Sequence, residues 1–113
     1  MTNSASHQGA ALPNIDRDDY RVISVLGEFD MANVSALESV LDRALESGRI
    51  PALDFSHTRY IDSSVLNLIV RKSGRSSRRV RLIVPAGCPI RRIFDITGLG
   101  AALGAVESVH DLD

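Results

Sequence analysis

The residues with the clearest chemical potential are Asp62, Ser63 and Ser64, inside the run LDFSHTRYIDSSVLNLIVR from Leu53 to Arg71. A short apolar run precedes them, with a polar turn between, and an apolar segment of helical character follows. A strand feeding a helix through a turn places backbone N–H groups and small hydroxyls at the helix's positive end. Such an end accommodates an anion such as a phosphate. The bland role is capping, since Asp and Ser both satisfy the orphan N–H groups of a helix start. Two serines directly after an aspartate exceed what one cap requires. Ser64 is the most informative of the three.

Other chemistries fit less well. A nucleophilic-serine elbow needs Gly-x-Ser-x-Gly spacing, and Ile61–Leu66 contains no glycine. Of His7, His57 and His110, only His57 lies near the serines in sequence, so the constellation of a hydrolase is missing. No catalytic residue is assigned and no enzyme is expected. One cysteine, Cys88, and scattered histidines give no metal-ligand spacing, so neither a metal nor a cofactor is expected. The run GLGAALG from Gly98 to Gly104 has the wrong spacing for a dinucleotide loop and follows a helix rather than a strand.

Arg71, Lys72, Arg75, Arg78, Arg79 and Arg81 form a basic run, read as a solvated helix end and loop. It lacks the aromatics that stack on bases, which argues against single-stranded nucleic acid and leaves an acidic protein partner open. The net charge of -1 gives bulk electrostatics no role in drawing the chain to nucleic acid or a membrane surface.

The elements that must position the serines follow from periodicity. Tyr20–Leu26, YRVISVL, is β-branched and mostly apolar, a strand closed by Gly27; residues 13–19 carry little strand signal but leave a short edge strand open, which Pro13 would suit. Val34, Leu37, Leu41, Ala44 and Leu45 recur at helical spacing, with Gly48 as the stop. Ser35 and Glu38 have capping-box spacing, and Asn33 is another candidate cap. Ala52–Ser56 is a short strand and His57–Tyr60 a polar turn. A second helix runs from Asp62 or Ser63 to about Gly74.

Val80–Val84 is a third strand, and Pro89 suits the first turn of a third helix. Ile90, Ile93 and Phe94 of that helix face inward, and Gly98-Leu99 resembles a Schellman ending. Ala105–Glu107 is a final short strand with little room after it for another helix.

Alternating strands and helices imply parallel neighbours joined by right-handed crossovers, hence an α/β sheet packed against helices. In such sheets functional groups gather at the carboxyl ends of the strands. Two loops qualify, 27–33 and 56–64.

At 113 residues the chain makes one domain, and 44% hydrophobic against 24% charged residues places it among globular rather than disordered sequences. Residues 1–12 read as a disordered lead-in and 13–113 as the domain. The opening residues lack signal-peptide character, and no stretch reaches the ~20 apolar residues of a spanning helix. With a lone cysteine, a cytoplasmic protein without membrane insertion is expected.

Gly27-Glu28-Phe29-Asp30 after a strand, Leu53-Asp54-Phe55-Ser56, Ile61-Asp62-Ser63-Ser64-Val65-Leu66 and Ile93-Phe94-Asp95-Ile96-Thr97-Gly98-Leu99 together resemble the STAS domain. More narrowly, they resemble the bacterial anti-sigma factor antagonists, over roughly residues 20–106. The resemblance implies a mixed, mainly parallel sheet of four to five strands packed against three to four helices.

It also implies that the unmodified domain binds a protein that is both anti-sigma factor and serine kinase, releasing the sigma factor. Phosphorylation of Ser64 then breaks that contact, in a partner-switching control of transcription. Asp30, Asp62, Ser63, Ser64 and Val65 match the family's partner-binding positions. Where the family has glycine after the second serine, this chain has Val65, expected to fill space beside the hydroxyl. The alternative implied by the same resemblance is a non-switching STAS subunit of a lipid-transport ABC complex or a stress-signalling assembly.

Overall fold

The computed structural model describes residues 9–74 and 79–112. Among these, four strands form one sheet in the order β1 (Asn14–Arg17), β2 (Tyr20–Ser24), β4 (Ile50–Asp54), β6 (Arg81–Ile83). A second, two-stranded sheet pairs β3 (Gly27–Phe29) with β5 (Thr58–Ile61). The β1–β2 pair is antiparallel; β2–β4, β4–β6 and β3–β5 are parallel. Val106 adds a single parallel bridge beside Ile83, in place of the expected final strand.

The helices are α1 (Val34–Glu46), α2 (Ser63–Ser73), α3 (Arg91–Thr97) and α4 (Leu99–Ala102). A 3-10 turn, Val109–Asp111, takes the place of any final helix. No helix among the described residues is long and apolar enough to cross a membrane.

Alternation along the strands divides the core between the two sheet faces. Ile23, Leu53 and Leu82 share a row of the register and pack with Leu37, Leu41, Leu68 and Ile69 of α1 and α2. Val22, Ala52 and Ile83 belong to the opposite face, covered by Val106, Val109 and Leu112. The C-terminal segment therefore completes the core as an irregular cover. Phe94 brings α3 onto the larger cluster, its ring 5.2 Å from that of Phe55.

Several expectations from sequence are corrected. The lead-in ends before residue 12: Ala11 and Leu26 exchange backbone hydrogen bonds at 3.2 and 3.0 Å, and Ala10 and Leu12 pack on the core. Gly27 has φ +90°, and a Cβ there would stand 3.2 Å from the Ala10 backbone. Residues 1–8, including His7, lie outside the described residues, as do Arg75 and Arg78 of the basic run. Residues 14–17 form an edge strand although their side chains are exposed throughout, because pairing with β2 needs only their backbone.

The polar turn expected at 57–60 is largely strand β5. Thr58 is fully buried, its hydroxyl donating to the Val25 carbonyl, and Ile61 is buried at the other end. Helix α3 starts at Arg91, so Pro89 precedes it, and Ile93 is only half-buried.

Candidate functional site

The carboxyl ends of β3 and β5 define the site. Phe29 and Ile61 are register partners in the parallel pair, so Asp30 and Asp62 leave the sheet side by side. Asp62 then caps α2. Its Oδ1 accepts the Ser64 N–H at 3.0 Å and also the Ser64 hydroxyl. Its Oδ2 accepts the Met31 N–H at 3.2 Å. One carboxylate therefore satisfies an orphan N–H of the helix, orients the serine and tethers the neighbouring loop.

That loop, 30–33, is built on its own polar side chains. Asp30 Oδ1 accepts the Ala32 N–H at 2.9 Å. The Asp30 carbonyl accepts the N–H groups of Asn33 and Val34 at 3.1 and 2.8 Å. Asn33 braces it from within: Oδ1 accepts the Asp30 N–H at 2.9 Å while Nδ2 donates to the Glu28 carbonyl at 3.0 Å. Position at strand ends is the only link between the two loops that sequence suggests; the Met31–Asp62 contact joins them directly.

Ser64 is half-buried and Ser63 is exposed. Val65 is fully buried, packed in the main core with Leu66, Leu68 and Ile69. Its side chain lies in the core, not on the exposed surface where Val65 was expected among the partner-binding residues. Helical geometry explains this: consecutive residues point about 100° apart, so Ser64 outward places Val65 inward.

Charge on the packed helices fixes α2 against α1. Lys72 Nζ lies 3.0 Å from Glu38 Oε2 and 2.8 Å from Asp42 Oδ1, while Arg71 approaches Glu38 at 3.5 Å. The Lys72 hydrogen bond holds the Glu38 carboxyl below the usual carboxylate range, with Arg71 adding to the effect. Asp42 first, then Glu38, raises Lys72 above the usual lysine value. Part of the basic run is thus neutralised within the fold. Glu38 serves this clamp rather than a capping box, and α1 begins at Val34, which puts Ser35 inside the helix.

The sequence profile of the STAS domain matches residues 11–112. The chain belongs to the STAS domain family. A search of curated proteins returns no match. Among solved structures, this STAS domain is similar to an anti-sigma factor antagonist from Mycobacterium paratuberculosis, with TM-score 0.76 and 23% identity, covering 89% of this chain and 88% of that one. A putative anti-sigma factor antagonist from Thermotoga maritima gives 0.71 and 20%, covering 88% and 89%. The Bacillus cell fate determinant SpoIIAA in its phosphorylated form gives 0.58 and 22%, covering 80% and 86%. At these identities the likeness is one of fold.

Within the STAS domain, the described structure brings Asp30, Asp62, Ser63 and Ser64 into one surface and leaves His57 outside it. His57 is exposed, and its side chain makes no hydrogen bond among the described residues. The residues missed from sequence are Met31 and the bracing role of Asn33. Asn33 does carry a signal: an Asn side chain readily hydrogen-bonds backbone groups three residues before it. Met31 acts through its backbone, which carries no residue-specific signal, although its side chain is 78% exposed.

Among the described residues no group of histidine, cysteine and carboxylate side chains is arranged to hold a metal ion. Burial pushes the Cys88 thiol up, away from the thiolate form.

Proposed function

We propose that this STAS domain is a non-catalytic anti-sigma factor antagonist, switched by phosphorylation of Ser64. In its unmodified form it binds an anti-sigma factor that is also a serine kinase, through Asp30, Ser63, Ser64 and the adjoining loop, and so frees a sigma factor. The observation that carries this reading is the Asp62 carboxylate, which holds the Ser64 hydroxyl with one oxygen and the Met31 N–H with the other. The likeness to solved anti-sigma factor antagonists supports the same class.

The physical consequence of phosphorylation follows from that arrangement. The hydroxyl proton donated to Asp62 is replaced by a phosphate carrying about −1.5 to −2 charge at neutral pH. Beside a carboxylate this charge repels, so the phosphoryl group swings outward, where α2's N-terminal N–H groups tolerate it. The fold is kept while the surface gains an anion where the partner was shaped for a neutral hydroxyl. Asp62, freed from Ser64, also holds Met31 less firmly, which loosens the second loop of the same surface.

The non-switching alternative draws on Val65 as a residue obstructing a kinase. The burial of Val65 in the core speaks against that motive.

The test is incubation with the cognate kinase and ATP, followed by mass-spectrometric site mapping. Phosphate on Ser64, absent in Ser64→Ala, supports the proposal. An unmodified Ser64 in a protein that also fails to bind any such kinase would end it.

A further inference from the structure

A second surface lies beside the strand that leads to Ser64. Between β5 and α3 runs an open groove of about 300 Å³ whose apolar lining includes Tyr60, Ile61, Ile93 and Ile96. Tyr60 is 51% and Ile96 71% exposed, so the two sides of the groove present a shared apolar surface to solvent. Arg59 and Arg92 also line it. Arg92 makes no ion pair among the described residues, and Arg59 approaches Glu28 only at 3.9 Å. Elsewhere in the chain, by contrast, Arg21, Lys72 and Arg91 are tightly paired with carboxylates. Strand β5 is hydrogen-bonded to β3 alone, which leaves its other edge unpaired among the described residues.

We infer that this groove is a docking site for an acidic protein segment that carries a large apolar side chain. The apolar floor takes the side chain, and flanking carboxylates of the segment pair with Arg59 and Arg92. Two arginines left under-neutralised at the rim of an apolar cleft select against a basic or neutral occupant through charge complementarity. A second copy of this chain is a poorer fit, because it would bring the same two arginines toward themselves across a two-fold axis. The inference goes beyond the Ser64 switch and does not depend on it: no atom of Ser64 enters the groove's lining.

The experiment is an NMR titration of the isotope-labelled 113-residue chain with a synthetic peptide, Glu-Asp-Leu-Glu-Phe-Leu-Glu-Asp, and with its analogue in which lysine replaces every acidic residue. The acidic peptide is expected to give saturable shifts at Tyr60, Arg92 and Ile96, and the basic one none. Arg92→Glu should weaken binding roughly fivefold, and Ile96→Ser roughly tenfold, the usual scale for a rim charge and an apolar anchor. Both positions are exposed, so both variants should fold, which the same spectra report. Ser64→Asp should bind the peptide as the wild type does.

Absence of saturable groove shifts, or equal shifts with the basic peptide, overturns the inference. So does loss of peptide binding in Ser64→Asp, which would place the contact at the switch instead. Groove shifts that appear on concentrating the protein alone assign the surface to a second copy and overturn it equally.

Discussion

The Asp62 carboxylate accepts the Met31 N–H at 3.2 Å, joining residues 31 positions apart in the chain. The bond is possible because β3 and β5 are parallel and end in register, with Phe29 opposite Ile61. It links the loop after β3 to the start of α2, because the same Asp62 side chain also accepts the Ser64 N–H and hydroxyl.

Replacing Asp62 separates its two duties. Asp62→Ala removes the cap and the tether and should cost about 1–2 kcal/mol by chemical denaturation. Asp62→Asn can still accept the Ser64 N–H through its carbonyl oxygen, but turns an amide donor toward the Met31 N–H. It should cost less stability, while hydrogen exchange at the Met31 amide accelerates in both variants. Unchanged exchange at Met31 in both would show that the tether is not formed in solution.

Val65 tests the orientation of α2. Val65→Ala should destabilise the domain by about 2 kcal/mol, through lost burial and the cavity left behind. Phosphorylation of Ser64 by its kinase should proceed at the wild-type rate at temperatures where the variant is folded, because the valine methyl groups point into the core. Faster phosphorylation with little loss of stability would place Val65 at the surface instead.

The clamp between α1 and α2 gives a pH dependence. The Glu38 carboxyl titrates below its unfolded value, so its contribution is present above the ordinary carboxylate range and lost as pH falls through the folded value. Lys72 titrates above its unfolded value, so its contribution is complete at neutral pH and lost only as pH rises through the folded value, above the ordinary lysine range. Lys72→Met should therefore lower Tm by a few degrees at neutral pH. The gap should shrink in acid below the carboxylate range and in roughly 1 M salt, where screening acts within ~3 Å. A gap independent of both pH and salt would assign the loss to packing of the lysine stem.

Much of this arrangement is legible in the order of residues alone. Helix α2 starts where Asp62-Ser63-Ser64 gives way to apolar residues, and Asp62 is the cap that its residue type suggests. The main strands show themselves by runs of β-branched residues, as in Tyr20–Ser24.

What escapes sequence reading is decided by distant partners. Thr58-Arg59-Tyr60 reads as a polar turn until Val25 accepts the Thr58 hydroxyl and β3 pairs alongside. Thr and Tyr favour strands, and that local preference is the available signal. Ser35 and Glu38 have the spacing of a capping box, but Glu38 finds Lys72 on another helix, and no local pattern encodes that choice. Asn33 likewise spends its amide on the loop behind it rather than on the helix ahead.

Under the proposed switch, a charge at Ser64 breaks partner binding and leaves the fold intact. The most direct measurement is calorimetric titration of the cognate anti-sigma kinase with unmodified protein and with protein phosphorylated at Ser64. Tight binding of the unmodified form is expected, weakened roughly 100-fold or more by the phosphate, the scale of a like-charge clash at an interface. The thermal unfolding of the two forms should be closely similar. Equal affinity of the two forms for the kinase would contradict the account.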